Sequence, residues 1–192
     1  MKLGLTGGIG CGKSTVVRLF AEAGWRTVES DQIVRDLLLT SDRVQSELRE
    51  RWGDSVFEEV GKVDRKAIAR IVFSHDEELD WLERLLHPEV RSVWLGQLTS
   101  EPAENCLVEI PLLFEKKLES EFDLTVCVVS PPDVVEARMV RRGYTGAEVE
   151  QRRSRQMPLR EKAQRADRVL SNAGSLEFLK RQTLRLIKEL QA

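Results

Sequence analysis

The chain has 192 residues, enough for one α/β domain with a sizeable core and small appended subdomains but cramped for two independent domains. Its 30 Lys and Arg against 32 Asp and Glu give a net charge of −2, so the overall charge gives no reason to expect nucleic acid or an anionic membrane as a partner. No apolar run approaches the roughly 20 residues of a membrane span, and the chain begins directly with a strand pattern. We therefore expect a soluble, cytoplasmic protein.

The first predicted element is a short buried strand at residues 2–6, and a glycine-rich loop follows it. Residues 7–15 of this loop fit the pattern G-x-x-x-x-G-K-[ST], and a helical pattern follows. In such a loop the glycines let backbone N–H groups surround phosphate oxygens, the lysine reaches the β and γ phosphates, and the serine hydroxyl can ligate Mg²⁺. The pattern predicts a nucleotide-phosphate site with Lys13 and Ser14 in these roles. The alternative is a glycine-rich turn that merely joins a strand to a helix.

Further strand patterns lie at residues 26–29, 105–110, 124–129 and 168–171, with helical patterns between them. This alternation predicts an α/β fold with a parallel sheet of five strands flanked by helices, similar to P-loop NTPases. Ligands bind outside the carboxyl ends of the strands in such sheets. Polar and turn-forming residues after each strand should therefore converge on one edge.

The connection between the second and third strands, residues 31–104, is far longer than one crossover helix requires. It carries helical patterns at residues 32–39, 43–52, 64–73 and 77–98, of which we expect the last to be interrupted at Pro88. We interpret this insertion as a helical subdomain that binds a second substrate, the acceptor. The alternative is that these helices only cover the sheet.

A second irregular segment, residues 134–166, carries helical patterns punctuated by Gly143, Gly146 and Pro158. Residues 138–168 hold ten Lys and Arg against four Asp and Glu. We interpret the segment as a helical lid whose arginines close over a triphosphate, exclude water and stabilise the transferring group. A solvated basic helix face is the alternative. Nucleic-acid binding is disfavoured because Tyr144 is the only aromatic residue among these cations.

Two carboxylates follow or end predicted strands. Asp31 comes just after the second strand, where it could accept a proton from an acceptor hydroxyl or hold a metal ion, or simply cap the helix that begins at Gln32. Glu109 lies at the end of the third strand, the position of a Walker-B-type acid, or is an ordinary strand-end carboxylate. His87 has apolar neighbours, and by itself we read it as a packing residue and not as a base.

The three cysteines show no metal-ligand spacing, which fits a reducing cytoplasm. Cys11 lies in the glycine-rich loop near Lys13 and a helix N-terminus, an environment that lowers a thiol pKa. We hypothesise that Cys11 is oxidisable and that its oxidation blocks ATP. The alternative is a small residue tolerated at a variable loop position.

Six segments stand in order through nearly the whole chain, and together they are far more specific than the glycine-rich loop alone. They are residues 5–15, Ser30-Asp31 with Arg35, Leu86-His87-Pro88, Pro111-Leu112-Leu113-Phe114-Glu115, Gln156, and Ala166-Asp167 with Asn172. Taken together they resemble the dephospho-CoA kinase family.

The resemblance implies a single P-loop kinase domain with a core (residues 1–30, 105–133 and 167–192), the acceptor-binding insertion 31–104 and the lid 134–166. The implied enzyme transfers the γ-phosphoryl group of ATP, with Mg²⁺, to the ribose 3′-hydroxyl of dephospho-CoA. ATP and dephospho-CoA are then its partners, with no nucleic acid or membrane, and we expect a monomer or weak homo-oligomer. The rivals are another small-molecule P-loop kinase, of nucleoside or shikimate type, and a non-catalytic nucleotide switch.

The resemblance also implies residue roles. Asp31 matches the catalytic base, Lys13 the phosphate lysine, and Arg138 and Arg142 the lid arginines, with Arg142 also counted as catalytic. The expected nucleotide contacts are Gly8, Gly10, Cys11, Gly12, Lys13, Ser14, Thr15, Arg138, Arg142 and Asn172, the last beside the adenine. The expected acceptor-side residues are Asp31, Arg35, His87, Leu113, Phe114 and Glu115, and the expected metal ligands are Ser14, Asp31 and Glu109.

Three positions depart from the family's usual pattern. Glu29-Ser30-Asp31 stands where Asp-Ala-Asp is common, Glu109 where Asp is usual, and Cys11 where serine is more frequent. Each glutamate keeps the charge and adds one methylene, roughly 1.5 Å of reach. We therefore expect the reaction class to be unchanged, while the position of a metal ion or water shifts.

Overall fold

A computed structural model describes residues 1–58, 61–100 and 104–191. The strands are β1 (Lys2–Gly7), β2 (Arg26–Glu29), β3 (Cys106–Glu109), β4 (Leu124–Val129) and β5 (Arg168–Ser171). The described helices are α1 (Lys13–Glu22), α2 (Ser30–Thr40), α3 (Asp42–Trp52), α4 (Arg65–Ser74), α5 (Asp76–Ser100), α6 (Pro132–Arg141), α7 (Gly146–Ser154), α8 (Leu159–Arg165) and α9 (Leu176–Leu190). The parts of the predicted insertion and core at 59–60, 101–103 and 192 lie outside the described residues.

The five strands form one parallel sheet in the order β2-β3-β1-β4-β5, as predicted. The apolar runs produce this sheet because strands covered by helices on both faces must be hydrophobic on both. Leu3, Leu5, Leu107, Val126 and Val128 are fully buried in the core. Since β1 pairs with both β3 and β4, the loop after β1 emerges at the middle of the carboxyl edge.

The chain divides into two compact units, which we call the core unit (residues 1–29 and 101–192) and the helical unit (residues 30–100). The core unit holds the sheet with α1 and α6 to α9. Its segment 134–166 contains most of α6 and all of α7 and α8, where we predicted lid helices. Thr145 caps α7 in a capping box with Glu148, which fixes where this helix starts.

The helical unit holds α2 to α5, and its longest helix corrects one prediction. Pro88 lies inside α5, which continues over 25 residues, so the expected interruption is wrong. The helix continues because one buried stripe, repeating every four residues, anchors it on both sides of the proline. The stripe consists of Leu82, Leu86, Val90, Trp94 and Leu98.

No helix among the described residues is long and apolar enough to cross a membrane.

Candidate active site

The loop between β1 and α1 has a backbone that only glycine adopts easily. Gly10 and Gly12 have φ angles of 69° and 100°, in the left-handed region that disfavours other residues. A Cβ on Gly12 would lie 2.3 Å from the Nδ2 atom of Asn172. The two glycines therefore allow the turn and the close approach of Asn172, and α1 starts directly after them, so that its N-terminal dipole points at the loop.

Lys13 lies over this loop. Its ammonium group donates to the carbonyl oxygens of Gly7 and Gly8 at 3.2 and 3.3 Å. It also lies 3.5 Å from the Oε1 atom of Glu109, whose side chain is only 6% exposed. The predicted phosphate lysine and the predicted strand-end acid therefore form an ion pair, because the register of β1 and β3 places Leu5 beside Glu109.

The oxygen donors near the loop fit a magnesium ion that is shared with substrate phosphates. No three His, Cys, Asp or Glu side chains cluster as a metal site in the part of the chain that the structure describes. Mg²⁺ binds to one or two protein oxygens, substrate phosphates and several waters, so a dedicated cage is not required. The exposed Ser14 in the first turn of α1 and Glu109 at the end of β3 supply donors of this kind.

A network of hydrogen bonds supports the loop from behind. Arg138 donates to the Gly10 carbonyl at 3.4 Å, to the Ser130 hydroxyl at 3.0 Å and to the Asn172 side-chain oxygen at 3.0 Å. Asn172 in turn donates to the Cys11 carbonyl at 2.9 Å. This network holds two carbonyl groups of the phosphate loop in place, because each faces a donor that is itself hydrogen-bonded.

Arg138 and Asn172 thus contact the phosphate loop, and their expected contacts with the nucleotide stay predictions. Asn172 is buried, at 5% exposure. Ser130 is a member that sequence reasoning did not select as a site residue. The available signal was its position directly after β4, at the ligand edge of the sheet.

The surroundings of Cys11 contradict a second prediction, that of a lowered thiol pKa. Its side chain is 1% exposed, in the hydrophobic core beneath the loop. Burial raises the pKa of the Cys11 thiol, although Lys13 and Arg138 act in the opposite direction. The expected lowering of this pKa is wrong, since the helix N-terminus and the lysine do not compensate for removal of the thiol from water.

The loop that follows β3 is packed inward. Leu113 and Phe114 are buried, at 0% and 2% exposure. Glu115 accepts hydrogen bonds from the Met157 backbone N–H at 2.8 Å and from the ammonium group of Lys162 at 2.8 Å. The acceptor-side roles of Leu113, Phe114 and Glu115 stay predictions.

Lys162 is fully buried in α8, and the sequence analysis did not select it as a site residue. Burial lowers the pKa of its ammonium group, while Glu115 acts in the opposite direction. In the sequence it is one cation of a basic run, and nothing there distinguishes it.

Three predicted residues lie in the helical unit. Asp31 is exposed in the first turn of α2, two residues after β2 ends. The helix begins at Ser30, so Asp31 is not the N-cap of this helix, which was one of its two interpretations.

Arg35 is exposed and donates to the Gln32 side chain at 2.9 Å. His87 is half-buried on α5, with its Nδ1 atom 3.8 Å from a Glu83 carboxylate oxygen.

Of the remaining predicted contacts, Arg142 and Thr15 lie at helix ends. Arg142 is exposed directly after α6, and its side chain makes no hydrogen bond or ion pair with any described residue. Thr15 is half-buried in the first turn of α1, and Gly8 lies at the start of the loop. Arg142 is thus a cation available to a ligand near the segment 134–166.

Comparison with known proteins gives consistent matches. The dephospho-CoA kinase family profile matches residues 1–177. A dephospho-CoA kinase of Thermus thermophilus is 39% identical over 189 residues, which cover 98% of this chain and 91% of the relative. The crystal structure of TT1252 from Thermus thermophilus superposes with a TM-score of 0.81 at 38% identity, covering 99% of this chain and 97% of that one. A dephospho-CoA kinase structure from Campylobacter jejuni gives 0.74 at 26% identity, covering 99% and 98%.

Proposed function

Because this chain belongs to the dephospho-CoA kinase family, we propose that it transfers the γ-phosphoryl group of ATP to the 3′-hydroxyl of the ribose of dephospho-CoA. The products are CoA and ADP, and the reaction is the last step of coenzyme A biosynthesis. The chain is thus an ATP-dependent kinase, a phosphotransferase with an alcohol acceptor. The observation that carries the proposal is the family match over residues 1–177, which includes the whole phosphate loop.

Lys13 and the phosphate loop provide most of the electrostatic stabilisation in this reaction. Phosphoryl transfer requires in-line positioning and neutralisation of charge on the equatorial oxygens rather than covalent help from the protein. The Lys13 ammonium group, already directed over the loop, binds the β and γ phosphates beside the N-terminus of α1. Arg142, a cation without a protein partner among the described residues, adds positive charge at the γ-phosphoryl group.

Asp31 is the general base. Its carboxylate is exposed and follows β2, a strand of the sheet whose carboxyl edge carries the phosphate loop. It orients the acceptor hydroxyl and receives its proton as the new P–O bond forms.

Mg²⁺ is the cofactor, with Ser14 and Glu109 as the protein donors nearest the loop and Asp31 as the third expected ligand. When bound, the ion neutralises charge that develops on the β and γ phosphate oxygens. Glu109 also holds Lys13 through their ion pair, so the length of this glutamate sets where the lysine lies.

The helical unit and the segment 134–166 carry the remaining roles. We assign Arg35 and His87 to acceptor binding, and likewise Leu113, Phe114 and Glu115, as the family resemblance implies. The helices of the segment 134–166 act as a lid that excludes water from the reacting groups. Asn172 contributes beside the adenine.

We assign small molecules as the only partners, without nucleic acid or membrane, and a cytoplasmic location. The net charge of −2 gives no support for nucleic acid or an anionic membrane as a partner. We expect a monomer or weak homo-oligomer in solution.

The test measures ADP release from Mg-ATP with dephospho-CoA, adenosine, shikimate or no acceptor, and locates the new phosphate by ³¹P NMR. We expect turnover with dephospho-CoA alone and a 3′-phosphate product. Turnover only with another acceptor would keep the kinase and reject the substrate. ATP binding without transfer to any acceptor would favour a nucleotide switch.

A further inference from the structure

One buried cation has no role in the proposed reaction. Lys162 has a side-chain exposure of 0%, and its ammonium group lies 2.5 Å from the Pro111 carbonyl oxygen and 2.8 Å from the Glu115 carboxylate. A buried charge is costly unless it is paired and hydrogen-bonded. Both of these partners belong to one loop, residues 111–119, which we call the β3 loop. The Lys162 ammonium group therefore donates hydrogen bonds to two points of the same loop.

Other contacts hold the same loop to α8 and to β1. The Thr6 hydroxyl donates to the Pro111 carbonyl at 3.2 Å, so two donors fix that oxygen. The Met157 backbone N–H donates to Glu115 at 2.8 Å. Arg165 pairs with Glu119 at 2.5 Å, and its guanidinium group lies 5.0 Å from the centre of the Phe114 ring. Of the groups that make these contacts, Lys162 combines full burial with hydrogen bonds to two points of the loop.

The sheet order places the β3 loop beside the reacting groups. Strand β3 lies between β1, which leads into the phosphate loop, and β2, which leads into Asp31. The Ile110 N–H donates to the Leu5 carbonyl at 2.8 Å, and Glu109 pairs with Lys13. The β3 loop thus starts next to the phosphate lysine, at the carboxyl edge of the sheet.

We infer that Lys162 is a positioning residue for the acceptor, acting through the Pro111 carbonyl and the Glu115 carboxylate to hold the β3 loop beside the phosphate loop. The inference rests on the proposed function. Without the ammonium group, the Glu115 carboxylate loses one of its two hydrogen bonds among the described residues, and the Pro111 carbonyl keeps only its bond from Thr6, so the loop is held less firmly. A shift of about 1 Å in groups that position a substrate can cost about 10²-fold in rate.

The experiment compares Lys162→Met with Lys180→Met, a control that removes an exposed lysine of α9. Both are assayed below the temperature at which circular dichroism shows any unfolding. We expect Lys162→Met to lower kcat/KM for dephospho-CoA by about tenfold or more while the Kd for ATP changes less than twofold. The control should match the wild type. A purely structural role would leave both substrate parameters of the folded variant unchanged, and that result would overturn the inference.

A second variant covers the case in which Lys162→Met does not fold. Thr6→Val replaces the other donor to the Pro111 carbonyl by a methyl group, and we expect it to change the same parameter in the same direction by a smaller factor. An unchanged kcat/KM for dephospho-CoA in Thr6→Val would then count against the inference.

Hydrogen exchange provides a readout that does not need activity. The Lys116 and Leu118 amides donate within the β3 loop at 3.1 and 3.0 Å, and both should exchange faster in Lys162→Met or, if that variant does not fold, in Thr6→Val. Unchanged exchange there would overturn the inference. If the wild type transfers no phosphate to dephospho-CoA, the proposed function fails, while faster exchange would still show that Lys162 holds the loop.

Discussion

Replacement of Asp31 by asparagine tests the general base directly. The amide cannot accept the hydroxyl proton, so we expect kcat to fall by at least about 10²-fold, the usual scale for a general base. ATP binding measured without Mg²⁺ should change little, because Asp31 lies in α2 and outside the phosphate loop. Single-turnover kinetics with saturating dephospho-CoA measures the chemical step.

The matched control is Asp36→Asn, which neutralises another exposed acid of the same helix. It should turn over at the wild-type rate. A near-normal kcat in Asp31→Asn would reject the assignment of the base and direct attention to Glu109 or water.

At the residue scale, local pattern predicted the phosphate loop but not the contacts around it. The positions of Gly10, Gly12 and Lys13 follow from an eight-residue motif, because backbone conformation and phosphate binding are both local. The chemistry of Cys11 was predicted wrongly, since the sequence shows its charged neighbours but not the core beneath the loop. The contact of Arg138 with Asn172, 34 positions apart, depends on the order of the strands and has no local signal.

Among the elements, β5 is joined to β4 by a carboxylate whose protonation should matter for stability. The Asp167 Oδ2 atom accepts hydrogen bonds from the Thr125 N–H at 2.8 Å and the Thr125 hydroxyl at 2.7 Å. These bonds hold the pKa of Asp167 below its usual value of 3.8. A lowered pKa in the folded state means that the unfolded chain binds the proton more readily, so the contribution is present above pH 3.8 and is lost as pH falls through the folded pKa.

We therefore expect Asp167→Asn to be less stable than the wild type at pH 7, with a difference that narrows as the pH falls below 3.8. Urea unfolding followed by circular dichroism at pH 7, 5 and 3.5 measures this difference. Glu136→Gln, which changes an exposed acid of α6, should show no such convergence. A difference between Asp167→Asn and wild type that does not change with pH would contradict the assigned role of the charge.

The elements themselves were largely predictable. The bounds of β2, β4 and β5 match the predicted strands, because short apolar runs ended by polar or turn-forming residues define buried parallel strands. The continuation of α5 through Pro88 could not be predicted from local sequence. The penalty for proline is local, whereas the buried stripe that offsets it extends over the whole helix. Propensity therefore located the helix and packing decided its length.

At the scale of the whole molecule, the alternation of strands and helices was enough to predict the parallel sheet, and the long connection after β2 marked the helical unit. Substrate identity could not come from these features, because P-loop kinases with different acceptors share them. It came instead from short segments spread over the chain, and the family match over residues 1–177 agrees with them.

Nucleotide binding should stabilise the folded chain as a whole. A ligand that binds only the folded state adds RT ln(1 + [L]/Kd), about 2.7 kcal/mol at 100 times Kd. For a chain of this size each kcal/mol raises Tm by about 2–4 °C, so we expect Mg-ATP at that concentration to raise Tm by about 5–10 °C. Differential scanning fluorimetry with Mg-ATP, ATP with EDTA, and buffer alone measures the shift, and a smaller rise with EDTA would support Mg²⁺ as part of the bound nucleotide complex.

Lys13→Met should lose most of the rise, because we assign its ammonium group to the phosphates, whereas Lys180→Met should keep it. An equal rise in Lys13→Met would place the nucleotide away from the loop between β1 and α1.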